Sequence, residues 1–284
     1  MSDGKLVCPV CPHRCVLSEG KTGLCRARGM RAGEIVPLNY GVVSSLALDP
    51  IEKKPLARYH PGSAILSVGS FGCNLRCPFC QNWEISTSDG GEFLRDESRR
   101  LPPEALADLA DRLRSRGNIG VAFTYNEPLV GWEYVRDTAE LLRERDLRVV
   151  LVTNGCVNGG IARQLLPLTD ALNVDLKSFR AETYEKTLGG DLETVKRFIA
   201  AAAEQCHVEI TTLVVPGMND TEEEIRELSA WIASLPNGAE IPLHLTRFFP
   251  RHRMTDRGPT SRESVLRLVS AARENLHWVF PGNM

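Results

Sequence analysis

From residue 64 the chain alternates between two textures. Short apolar runs recur at 64–69, 119–123, 148–153, 171–176, 208–215 and 243–248. Between them lie stretches with helical apolar spacing, at 102–116, 129–145, 158–166, 192–204, 221–235 and 261–274. Nearly continuous apolar runs suit strands buried on both faces, which is the condition of a parallel sheet covered by helices. The helix starts carry the expected signals. Pro102-Pro103-Glu104 opens one, and Thr221-Glu222-Glu223-Glu224 places acids in the first turn of another, where they meet the positive end of the helix dipole. Six strand–helix units in succession predict an α/β fold with a parallel sheet. Their length and even spacing favour a barrel-like curl over a flat doubly wound sheet. No G-x-G-x-x-G follows the first strand, which removes the main argument for a dinucleotide-binding domain.

Residues 1–63 read differently and are expected to form a small cysteine-rich segment ahead of the main domain at 64–284. They hold Cys8, Cys11, Cys15 and Cys25 at C-x2-C-x3-C-x9-C spacing among glycines and prolines, with little periodic apolar sequence. A segment this small builds little core, and a metal can substitute for one. Zinc and a second iron–sulfur cluster are both open for this set. Residues 40–50 are strand-like and then turn, and 51–62 read as a connector.

Composition narrows the function. A net charge of -2 and 25% charged residues give no basic face for nucleic acid. No apolar run is long enough to span a bilayer, and Met1-Ser2-Asp3-Gly4-Lys5 leads into no signal-peptide core, so a cytoplasmic protein is expected. In a reducing compartment, clustered cysteines point to metal or catalysis rather than to disulfides. Cys156 and Cys206 stand alone and are expected to be small buried residues.

The densest chemistry is Ser70-Phe71-Gly72-Cys73-Asn74-Leu75-Arg76-Cys77-Pro78-Phe79-Cys80, directly after the first strand of the main domain. Soft sulfur ligands select zinc, copper(I) or iron–sulfur clusters. A structural zinc site wants four protein ligands, so these three would need a distant fourth, whereas a cubane held by three cysteines leaves one iron open. The C-x3-C-x2-C spacing, with aromatic Phe79 before the last cysteine, resembles the radical S-adenosylmethionine (SAM) superfamily. That resemblance implies a partial (β/α)6 TIM-like barrel, a [4Fe-4S] cluster on Cys73, Cys77 and Cys80, and SAM chelated to the open iron.

Later strand ends extend the resemblance. Thr124-Tyr125-Asn126-Glu127-Pro128 stands where the superfamily often has Gly-Gly-Glu-Pro, so its acid–proline half matches and its first half departs. Asn126 and Glu127 are chemically suited to hold the SAM ammonium, although Asn-Glu-Pro also suits a plain turn and helix cap. Thr153-Asn154-Gly155 and Asp175-Leu176-Lys177 resemble the T-N-G and D-x-K of glycyl radical activating enzymes, which flank the SAM carboxylate and ribose. Asp175 and Lys177 lie two apart and so share one side of an extended strand, where they line a polar site or form a structural ion pair. Val152 stands where the pyruvate formate-lyase activating enzyme has an acid, so that enzyme's monovalent-cation site is not expected. Val214-Val215-Pro216-Gly217 resembles a turn of the same enzymes.

The stretch 242–257, with Arg247-Phe248-Phe249-Pro250 and Met254-Thr255-Asp256-Arg257, resembles the AmmeMemoRadiSam-system radical SAM enzymes, as does Cys11-Pro12-His13-Arg14-Cys15. Many of those enzymes have a histidine where Phe249 stands, so no catalytic histidine is expected there. His244, Arg247 and Arg251 are expected at the surface, as contacts for an acidic substrate part or as solvated charges. Longer relatives continue past Gly282-Asn283 into a cysteine-bearing tail, which is not expected in a chain ending at Met284.

The resemblance implies reductive cleavage of SAM to methionine and a 5′-deoxyadenosyl radical that abstracts hydrogen. It also implies an electron donor such as flavodoxin or ferredoxin. Three readings follow: an activase-like enzyme acting on a protein substrate, a radical SAM enzyme with another substrate, and a zinc-bound scaffold or regulator without redox turnover.

Overall fold

The computed structural model describes residues 4–96 and 99–284. Two small antiparallel pairs open the chain, β1 (Leu6–Val7) with β2 (Val16–Leu17), and β3 (Arg28–Arg31) with β4 (Glu34–Pro37). An eight-stranded sheet follows. Its strands are β5 (Ser45–Pro50), β6 (Ala64–Gly69), β7 (Asn118–Phe123), β8 (Arg148–Thr153), β9 (Ala171–Asp175), β10 (His207–Val214), β11 (Leu243–Arg247) and β12 (Val279–Gly282). Their spatial order is their sequence order, and every pair is parallel except β5 with β6.

That order decides between curl and flat sheet. A doubly wound sheet reverses its strand order at a switch point, and this one never does. Right-handed crossovers taken always in one direction place every helix on the same face. The crossover helices are α3 (Pro103–Arg112), α4 (Trp132–Glu144), α5 (Gly159–Leu165), α6 (Leu192–Ala203), α7 (Glu222–Ala233) and α8 (Arg262–Ala272). They follow two short helices behind the cysteine loop, α1 (Trp83–Ser86) and α2 (Gly91–Arg95). The six expected strands and six expected helices are all present. Two strands of the sheet lie outside the expected six units. β5 comes from the strand-like 40–50 stretch and adds an antiparallel edge. β12 adds a seventh parallel strand, where Pro281 and a length of four residues give little apolar pattern to read.

The two faces of the sheet separate cleanly. Val121, Val149 and Leu151 join the large core under the helices. Their neighbours Ala122 and Val150 point to the other face and pack with Ile51, Leu56, Ile65 and Ala171. Residues 51–58 therefore plug the barrel floor, at the strands' N-terminal ends. The Asn173 side chain donates to the Pro55 carbonyl at 2.7 Å, and the Ala57 and Arg58 N–H groups donate to the Glu209 carboxylate at 2.9 and 2.7 Å. The other end of the strands, where the cysteine loop follows β6, is the mouth. No helix among the described residues is long and apolar enough to cross a membrane.

Candidate active site

The cysteine loop leaves β6 at the mouth and is tied down by neighbouring loops. Asn126 uses its whole side chain on it. Its Oδ1 accepts from the Ser70 N–H at 2.9 Å, and its Nδ2 donates to the Phe71 and Gly72 carbonyls at 3.1 Å each. Asn74, between the first two cysteines, donates to the Cys156 carbonyl at 2.7 Å and accepts from Asn154 Nδ2 at 2.9 Å. Asn82 donates to the Tyr125 carbonyl, and the Arg76 N–H to the Leu188 carbonyl, both at 2.8 Å. Leu188 ends a π-helical turn, Thr183–Leu188, a rare irregularity that is frequent at functional sites. Gly72 is required by its surroundings: its φ is +89°, and a Cβ there would come within 2.6 Å of the Cys25 carbonyl oxygen.

The three thiols of this loop are half-buried and unpaired, and Phe79 beside them is buried in the core. Polar hydrogens point at the first sulfur, from the Leu75 N–H at 3.4 Å and Asn154 Nδ2 at 3.7 Å. Burial pushes the Cys73 thiol well above its ordinary value, and the Glu127 charge adds to this. Burial pushes Cys77 up to about 11, against the Lys177 ammonium, which favours its thiolate. Among the described residues no group of three or more His, Cys, Asp or Glu side chains meets as a single-ion site. Three sulfurs in one loop, with N–H donors at Cys73 and an ammonium near Cys77, fit the soft, charge-compensated donor set of an iron–sulfur cluster with an open position.

Glu127 is the hub of the next two loops. It is 2% exposed, and its carboxylate accepts from Thr153 Oγ1 at 2.6 Å, the Asn154 N–H at 2.8 Å and the Leu129 N–H at 3.0 Å. The last bond caps the short helix Pro128–Gly131. Burial raises its pKa to about 7; the three hydrogen bonds oppose the rise, and the Asp175 charge reinforces it. Asp175 and Lys177 form a 2.9 Å ion pair at the end of β9, with side chains 34% and 17% exposed, so this pair faces the mouth. Burial works against the Lys177 charge, yet the neighbouring Asp175 carboxylate holds its pKa well above the ordinary range. The Lys177 carbonyl accepts from Asn219, whose Oδ1 in turn accepts the Val215 N–H, so the Val214–Gly217 turn positions this loop from below.

Tyr125 explains the departure from Gly-Gly. Its φ is +72°, a left-handed backbone that glycine adopts freely and tyrosine does not. Its ring runs along β6 to donate to Asp49 Oδ2 at 2.9 Å, and Asp49 is paired with the buried Lys54 at 2.9 Å. Asn74, Asn82, Tyr125 and Asn219 carry no metal or charge pattern, and sequence reasoning gave them no role. The only local signals were the place of Asn74 between two cysteines and a tyrosine where glycine is usual.

One surface expectation is corrected. His244 is 7% exposed, hydrogen-bonded to Glu209 at 2.6 Å and stacked on Phe280. It lies near the N-terminal end of β11, below the mouth. Arg247 is half-buried and donates to the Thr260 carbonyl at 2.9 Å, while Arg251 is exposed. Phe249, 48% exposed, lies under the Arg247 guanidinium. The loop after β11 reaches across the mouth, where the Arg253 N–H donates to the Pro78 carbonyl at 2.9 Å and His252 stacks on Trp83. Cys8, Cys11 and Cys25 are buried and Cys15 half-buried. Burial pushes the Cys11 thiol up to about 12, with Cys25, Cys156 and Cys8 close enough to add to the shift. Cys156 is buried as expected, and Cys206 is half-buried.

Comparison with known proteins agrees with this geometry. The family described as the Radical SAM superfamily matches residues 67–229. An uncharacterized protein of Methanocaldococcus jannaschii is 36% identical over 288 residues, covering 100% of this chain and 83% of its own. The pyruvate formate-lyase-activating enzyme of Clostridium pasteurianum is 28% identical over 184 residues, 64% of this chain and 75% of that one. Among solved structures, Streptococcus suis SuiB bound to S-adenosylmethionine shares the fold with a TM-score of 0.55 at 12% identity, over 74% of this chain and 47% of that chain.

Proposed function

The chain belongs to the radical SAM superfamily, whose members bind a [4Fe-4S] cluster and SAM, and from that premise we propose an activase-like enzyme that abstracts hydrogen from a protein partner. Cys73, Cys77 and Cys80 hold the cluster, with Phe79 packing the loop behind them. When bound, the cluster and SAM supply one-electron cleavage of the sulfonium and hydrogen-atom abstraction.

The protein's own residues divide the remaining work. The side chains of Asn126, Glu127, Thr153 and Asn154 are engaged with one another and with the cysteine loop. They serve SAM by fixing the backbone that faces it. Asp175 and Lys177 keep exposure toward the mouth and contact the ligand directly, offering an acceptor and an ammonium on one wall. A low-potential donor of the flavodoxin or ferredoxin kind supplies the electron.

The observation that carries this reading is the Glu127 carboxylate. It joins the loops after β7 and β8, and through Asn154 it reaches Cys73, so three strand ends form one continuous wall. The activase reading is supported by the similarity to the Clostridium enzyme, and by a mouth bordered by exposed Trp83 and Phe249, which suit a peptide segment.

The test is anaerobic reconstitution with iron and sulfide, reduction, and assay for 5′-deoxyadenosine. Formation by the native protein and none by Cys77→Ala is expected. Zinc in place of iron at this loop would sink the enzyme reading and leave a scaffold or regulator. A glycyl radical signal on a candidate partner by electron spin resonance then separates an activase from an enzyme with another substrate. 5′-Deoxyadenosine without that signal counts against the activase.

A further inference from the structure

The four N-terminal cysteines play no part in the chemistry at the mouth, yet they are gathered rather than scattered. They sit in a segment whose short strands expose Leu6, Val7 and Val16, so little apolar burial holds it together. Two tight turns bring the thiols inward. In the first, the Arg14 N–H donates to the Cys11 carbonyl at 3.2 Å and the Cys8 N–H to the Cys15 carbonyl at 2.9 Å. In the second, the Arg26 N–H donates to the Gly23 carbonyl at 2.9 Å. Arg14 and Arg26 both take left-handed backbone, φ 44° and 62°, a conformation that persists in non-glycine residues only where the surroundings impose it. The Leu24 N–H points at Cys15 Sγ at 3.5 Å. A Cβ on Gly23 would come within 3.4 Å of the same sulfur, so glycine leaves that sulfur its room.

The set also abuts the catalytic loop. A ring nitrogen of His13, between Cys11 and Cys15, lies 2.8 Å from the carbonyl oxygen of Asn74, between Cys73 and Cys77. The Cys25 carbonyl fills the space that Gly72 leaves by lacking a Cβ. We propose that Cys8, Cys11, Cys15 and Cys25 hold a second iron–sulfur cluster, docked against the loop that carries the first. Four sulfur donors select zinc or iron–sulfur over hard cations. Cys8 and Cys25 lie close enough to Cys11, and Cys8 and Cys15 to Cys25, for their charges to act on one another, and a cubane takes four thiolates, one on each iron.

The test uses the full chain and reads metal content, so it does not depend on SAM cleavage. The Cys73→Ala/Cys77→Ala/Cys80→Ala variant, reconstituted anaerobically, is expected to keep about half the iron and acid-labile sulfide of the native protein. It should also keep the broad visible absorbance of a cluster. Adding Cys11→Ala and Cys15→Ala to that variant should remove the remainder. Should that second variant fail to fold, the first still decides. Zinc instead of iron in the first variant, or no metal at all, would overturn the proposal.

Discussion

Two buried glutamates mark the two ends of the barrel, and they are held in opposite ways. Glu127, at the mouth, accepts from Thr153, Asn154 and Leu129, all neutral donors, with Asp175 nearby. Burial wins there, and its pKa rises to about 7. Glu209, at the floor, is 0% exposed and accepts from the His207 and His244 rings and from the Ala57 and Arg58 N–H groups. Burial alone would raise it too, but these four donors outweigh burial and hold it near 2. The floor is locked as a fixed charge that staples the 51–58 plug to β10 and β11. At the mouth the carboxylate is poised close to neutrality, where the charge of a bound ligand can shift it. Burial pushes both carboxyls toward neutrality, and the number and kind of donors around each decide whether that push prevails.

The sharpest way to break this contrast is at the floor. Glu209→Ala removes the buried acceptor of the His244 ring, the half-buried His207 ring and the Ala57 and Arg58 N–H groups, and a loss of about 3–5 kcal/mol in urea denaturation is expected. Activity per folded molecule should persist. An equal loss of 5′-deoxyadenosine formation at full folding would show that the floor reaches the chemistry. At the mouth, Glu127→Gln keeps the shape but cannot accept from all three donors. A roughly 10–100-fold loss of 5′-deoxyadenosine formation is expected, as for an outer partner of a metal ligand, with a smaller change in stability.

The pH profiles should run in opposite directions. Glu127, raised from 4.5 to about 7, contributes stability that is full below pH 4.5 and is lost as pH rises through 7. Glu209, lowered from 4.5 to about 2, contributes stability that is full above pH 4.5 and is lost as pH falls through 2. Urea midpoints should therefore flatten between pH 4.5 and about 7 in Glu127→Gln and between about 2 and 4.5 in Glu209→Gln. Profiles that move together would refute the contrast. The smallest effect is expected between the two ends. Tyr125→Phe removes one hydrogen bond to Asp49 and should cost about 1 kcal/mol by thermal denaturation.

The strand–helix alternation and the cysteine loop were legible because each is written locally, in a period or in a spacing of a few residues. All six expected strands recur within a residue or two of their apolar runs. β12 was missed because four residues with a proline carry no pattern. The wall residues Asn126, Glu127, Thr153 and Asn154 were legible as motifs, but their partners were not. Asn126 turns back onto the cysteine loop, and Glu127 is spent on its neighbours' hydrogens, because the parallel pairing of β7 with β8 brings strand ends 27 residues apart within 2.8 Å. His244 was misread as exposed because it is polar, and its buried partner lies 35 residues away on another strand.

By itself the sequence determined the alternating architecture, the two cysteine sets and the soft-metal chemistry they imply, since periodicity and ligand spacing are properties of neighbouring residues. Only the tertiary structure decided which carboxylate is locked and which is poised, what Tyr125 does in place of glycine, and that the two cysteine sets touch. Those outcomes depend on burial and on donors brought in from distant strands, and no local stretch of sequence specifies either.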